Sequence, residues 1–116
     1  MVTVTIYHDS DENILGFTVK GHAGAGTEGH DIVCAAVSAV AYTALGSLQE
    51  LAKVNVTDAK IEDGYMEFLT KQDDVPEGTW EERKDLISII FAVMEIGFLQ
   101  IEASYSEYTK VEYKEV

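Results

Sequence analysis

The chain has one cysteine, three histidines and only eight lysines and arginines among its 116 residues. A lone thiol, Cys34, cannot close an intramolecular disulfide. The eight cations face 21 acidic residues, for a net charge of −13. A surface of that sign repels phosphate backbones, so no direct nucleic-acid partner is expected. Anionic lipid is disfavoured for the same reason, whereas a basic protein or peptide is attracted and steered. The opening residues, MVTVTIYHDSDE, lack the basic region and apolar stretch of a secretory leader, so the expected location is cytoplasmic. The uncharged run Ile32 to Leu48 is short for a membrane span and rich in Ala and Ser, which predicts a buried helix and no membrane partner. There is no internal repeat, linker or low-complexity segment.

What is present suits one packed domain over residues 1–116. A chain of this size buries about two-thirds of the surface its unfolded form exposes. Val2, Val4 and Ile6 alternate with Thr3, Thr5 and Tyr7, the period of a strand. Asp9 to Asn13 reads as a turn, and Leu15 to Lys20 as the returning strand of a hairpin. A glycine-rich loop, Gly21 to Gly29, leads to a helix over about Ile32 to Ala52, with Asp31 at the N-cap. Asn55 to Thr57 and then Ala59 to Glu62 read as strand. Asp63-Gly64 predicts a type I′ turn, and Tyr65 to Thr70 the return. Lys71 to Gly78 is a polar loop with the only proline, Pro76. Thr79 to Glu82 has the spacing of a capping box, and a second helix runs to about Ile101. Its segment LISIIFAVM is apolar on nearly every side, which predicts burial on more than one face, the second against another subunit. A last strand covers about Glu107 to Tyr113. The order β-β-α-β-β-α-β predicts an α+β fold: a mainly antiparallel sheet of about five strands, with two long helices on one face.

The chemistry concentrates in KGHAGAGTEGHDIVCAAVSA, residues 20–39. Its GAGTEG spells the dinucleotide pattern G-x-G-x-x-G. The acidic residue required about twenty positions on would fall within the same helix, and the preceding strand belongs to a hairpin. The glycines therefore read as a flexible connection. His22, His30, Asp31 and Cys34 are metal-binding types, but their spacing matches no closed zinc site, so neither metal nor cofactor is expected. Cys34 falls in the first turn of a helix, where unpaired N–H groups favour a thiolate. His22, at the end of the second strand, is placed to accept the thiol proton. A small buried core cysteine is the competing reading. Ser38, one turn beyond Cys34, either supports the site or bonds its own helix. The main-chain N–H groups around Ile32 to Cys34 are candidate oxyanion donors.

Gly21-His22-Ala23-Gly24, then Gly29, then DIVCAAVS from Asp31 to Ser38, together resemble the signature of the ribosomal-processing cysteine protease family, Prp. The resemblance implies a small cytoplasmic endopeptidase with a Cys-His pair, Cys34 and His22. It implies trimming of an N-terminal extension from a ribosomal protein precursor, the large-subunit protein numbered twenty-seven. Cleavage is expected after a phenylalanine, with basic residues downstream, by a homodimer. Gly21, Gly24, Asp31 and Ser38 are expected to support the pair. The rival reading from another class is a non-catalytic acidic dimer that binds a basic ribosomal protein during assembly.

Overall fold

A computed structural model describes residues 1–21 and 28–116, with the backbone alone at 28–30. Its elements are β1 (Val2–His8), β2 (Ile14–Lys20), α1 (Glu28–Ala52), β3 (Lys60–Glu62), β4 (Tyr65–Leu69), a short 3-10 turn (Gln72–Asp74), α2 (Trp80–Ser104) and β5 (Thr109–Glu115). The strands form one sheet in the order β3-β4-β2-β1-β5. Three pairings are antiparallel, and β5 runs parallel to β1. The fold is therefore α+β with a mainly antiparallel sheet, as the element order predicts. The parallel edge follows from the connection: α2 carries the chain back across the sheet before β5 begins, as a crossover must.

Strand alternation sets which face is covered. Val4 pairs with Val19, and Ile6 with Phe17, which in turn pairs with Phe68. All five are buried, and they form one core with Val33, Val37, Ala41 and Leu48 of α1 and Ile90, Phe91, Met94 and Phe98 of α2. Each of these side chains larger than alanine stabilises the fold by about 1.5–3 kcal/mol. Both helices thus lie on one face. The opposite face carries Thr3, Thr5, Tyr7 and Glu67, polar enough to meet water without a second layer. By length and composition either helix could cross a membrane. Their buried residues recur at the three- and four-residue spacing of helices lying on a sheet.

Several local expectations are corrected by side-chain chemistry. Asn55 to Thr57 is not strand: the Asn55 side-chain oxygen accepts from the Thr57 N–H (3.0 Å) and hydroxyl (2.8 Å), which closes a local turn. The Asp63-Gly64 turn is not type I′, since only Gly64 takes a positive φ, of 75°. The capping box at Thr79 does not form. The Thr79 hydroxyl instead donates to the Pro76 carbonyl (2.6 Å) and accepts from Arg83 Nε (3.1 Å). Arg83 also donates from Nη1 to the Ala52 carbonyl at 3.1 Å, placing a cation at the negative end of α1. The Asp9 turn is as expected: Oδ1 accepts from the N–H groups of Asp11 and Asn13, both at 2.9 Å.

Candidate active site

The first turn of α1 differs most from the sequence reading. The helix starts at Glu28, so Asp31 is its fourth residue and not its N-cap. Cys34 is its seventh, in the second turn. Gly, His and Asp in EGHD are weak helix formers, so the backward extension rests on the anchoring of Val33 and Val37 in the core rather than on propensity. One consequence concerns the oxyanion. The amides of Ile32, Val33 and Cys34 lie inside the i→i−4 ladder and are not available as donors; the unpaired ones belong to the helix's opening residues.

A second consequence concerns the thiol. The lowered pKa expected from a first-turn position is not found. Burial pushes the Cys34 thiol up, and the Asp31 carboxylate, one turn earlier, adds to the rise. Asp31 itself is exposed. It acts on the thiol as a like charge acts on any forming anion.

Cys34 is half-buried and opens into a cleft of about 290 Å³. One wall is a stripe of α1 at four-residue spacing: Cys34, Ser38 and Tyr42. The other is the β3–β4 hairpin from Ile61 to Met66, with Val2, Val19 and Gly21 at the base. Gly21 follows β2 and ties the cleft together: its N–H donates to the Gly64 carbonyl at 3.0 Å. Its φ is 138°, and an added Cβ would lie 2.5 Å from the Met1 carbonyl oxygen and 2.9 Å from Val2 Cα. Only glycine fits there.

The structure thus brings Cys34, Ser38 and Gly21 to one cleft and leaves Asp31 at its solvent side. His22 and Gly24 lie outside the described residues, as does the side chain of His30. Among the described residues no three metal-ligating side chains converge. The hairpin itself is expected from the sequence, but its place beside Cys34 is not: that follows from the register that pairs Lys20 with Tyr65, a contact between residues 45 positions apart in the chain.

A larger apolar groove, about 470 Å³, opens between the two helices away from the sheet. Val40, Leu51, Leu86, Ile89 and Val93 are among its lining, which contains no charged residue. It shares no residue with the Cys34 cleft.

A two-layer α+β domain with a single thiol opening from a long helix into a cleft has the arrangement of a small thiol hydrolase. Comparison with known proteins gives the family. Residues 1–110 match the model of the family described as cysteine protease Prp. The chain is 30% identical over 112 residues to the ribosomal processing cysteine protease Prp of Bacillus subtilis (strain 168), covering 96% of each. It also resembles two solved structures of the Prp protease from S. aureus. One, in complex with a substrate peptide, has a TM-score of 0.81 at 26% identity, covering 98% of this chain and 100% of the other. The second, with a covalently linked product peptide, has a TM-score of 0.76 at 27% identity over the same shares. The chain belongs to the cysteine protease Prp family.

Proposed function

We propose that this chain is a cysteine endopeptidase in which Cys34 is the nucleophile and His22 the general base and acid. Its substrate is the precursor of the large-subunit ribosomal protein numbered twenty-seven. It removes a short N-terminal extension, cutting after phenylalanine. The observation that carries the reading is the position of the only cysteine, half-buried on α1 and opening into a cleft of about 290 Å³. The relative with a covalently linked product peptide supports a covalent route. The −13 charge supports a basic substrate, and the protein acts in the cytoplasm without a cofactor.

In the reaction, His22 takes the Cys34 proton and the sulfur attacks the scissile carbonyl carbon. The tetrahedral intermediate collapses as the imidazolium protonates the leaving amine, leaving a thioester. His22 then removes a proton from water, which attacks the thioester. The acid product leaves and the thiol is restored. The raised thiol pKa makes this base necessary at neutral pH, because little thiolate stands ready without it.

The enzyme works as a homodimer. Ile89, Val93 and Ile96 are 59%, 64% and 55% exposed on one flank of α2, an apolar surface that a second subunit would cover.

The test is incubation with a precursor peptide followed by mass spectrometry. One cut after phenylalanine is expected, and Cys34→Ser should retain the fold and lose at least about a thousandfold in rate, since a hydroxyl is a far weaker nucleophile. Tight binding of an intact peptide by the unmodified protein would instead identify a non-catalytic binder.

A further inference from the structure

We infer that a separate cavity, walled by His8 of β1, Glu12 of the turn that follows, Ile14 of β2, Glu95 of α2 and Tyr113 of β5, binds a lysine or arginine side chain of the basic polypeptide substrate, well away from the scissile bond. That the polypeptide is a substrate rests on the protease reading above.

The hydrogen bonds of this cavity, about 400 Å³, select its occupant. Its side-chain donors are already in use. His8 Nδ1 lies 2.9 Å from the Asp9 carbonyl oxygen, which only accepts, so Nδ1 carries a proton and Nε2 of the neutral ring is an acceptor. The Tyr113 hydroxyl donates to Glu95 Oε2 at 2.7 Å. Burial and the Glu95 carboxylate push that hydroxyl up to about 12, so at neutral pH it keeps its proton and the bond. What remains to meet a ligand is acceptors: His8 Nε2, the second oxygen of Glu95 and the Glu12 carboxylate. Among the described residues no lysine or arginine lines the cavity.

A lining of acceptors asks for a ligand rich in donors and positive charge. A metal ion is not that ligand, since among the described residues no three ligating side chains converge. An ammonium or a guanidinium brings several donors at the end of an apolar stem, and Ile14 and the half-exposed Tyr113 ring can cover the stem. The net charge of −13 draws such cations to the surface. Position fixes where in the substrate the cation lies. β1 runs from Val2, at the base of the Cys34 cleft, to His8, six residues and about 20 Å away. An extended peptide needs about six residues to cover that distance, so the basic side chain belongs six or more residues from the cut. Glu95 lies two residues beyond Val93, about 200° around α2, so the cavity is clear of the apolar flank that a second subunit would cover.

The experiment uses two substrates and one probe. The short substrate holds four residues on each side of the cut, and the long one continues for ten more downstream residues, basic ones included. Glu12→Gln and Glu95→Gln remove charge and keep shape. On the long substrate each should raise KM about threefold, and the pair about tenfold, with kcat unchanged, as for exposed charge pairs. On the short substrate the variants should match the wild type. They should also match it on a long substrate whose basic residues six or more positions from the cut are replaced by glutamine. Equal losses on all substrates, or none on any, overturn the site. The probe is the basic ten-residue segment alone, added to the Cys34→Ser protein while the His8 ring signals are followed by NMR. A saturable shift, weakened by Glu95→Gln, is expected. No shift overturns the site whatever the cleavage result. A shift with no cleavage of either substrate by the wild type overturns the protease reading and keeps the cavity as a docking point for a basic polypeptide.

Discussion

At the residue scale, two ionisable groups lie one helical turn apart on α1, Asp31 and Cys34. Burial and the Asp31 carboxylate both hold the Cys34 thiol in its protonated form. Removing the carboxylate removes the second cause, so Asp31→Asn should lower the midpoint of Cys34 alkylation by iodoacetamide, followed against pH. A midpoint that stays or rises would show that Asp31 does not act on the thiol. The same shift bears on stability. A thiol pKa raised by folding means that the native state holds its proton more tightly than the unfolded chain. The stabilisation is fully present below the unfolded value and is lost as pH rises through the folded one.

At the element scale, the glycines divide by surroundings. Gly21 joins β2 to the hairpin wall with φ of 138° and backbone atoms packed where a side chain would begin. Gly21→Ala should destabilise by about 1–3 kcal/mol in urea unfolding, through left-handed strain and displacement of β1. Gly46, inside α1, has open space around its missing Cβ. Gly46→Ala should stabilise by about 0.5–1 kcal/mol, because alanine loses less backbone entropy in a helix. If both changes moved stability in the same direction, the division would be wrong. Elsewhere the outer strand β5 has its free edge partly closed: the Val111 N–H donates to the Glu102 carboxylate of α2 at 2.6 Å, where another chain could otherwise add.

At the scale of the whole molecule, the two helices are asymmetric in use. One face of each completes the core, while α1 adds the stripe of Cys34, Ser38 and Tyr42 that lines the cleft and α2 an apolar flank. Val93 is 64% exposed, so Val93→Glu should leave the fold of a subunit intact. A buried carboxylate at a subunit interface is costly, and the change should convert a dimer to a monomer in sedimentation equilibrium. A wild-type protein that sediments as a monomer would remove the dimer from the proposed function.

Much of this was legible in the chain. Alternation in VTVTIY and the apolar runs of both helices determined the elements, because side-chain periodicity is a local property. The α+β class followed from their order. Cys34 and Ser38 could be set on one helical stripe from their spacing alone. The start of α1 could not, because whether EGHD joins the helix depends on how Val33 and Val37 are anchored in a core built by distant strands. The parallel pairing of β5 with β1 and the hairpin wall of the cleft also came only from tertiary structure. So did the direction of the thiol's pKa, since burial is fixed by what the rest of the chain lays over Cys34. A sequence lists which groups can react, but their desolvation and their neighbours across the sheet are set when residues far apart in the chain pack together.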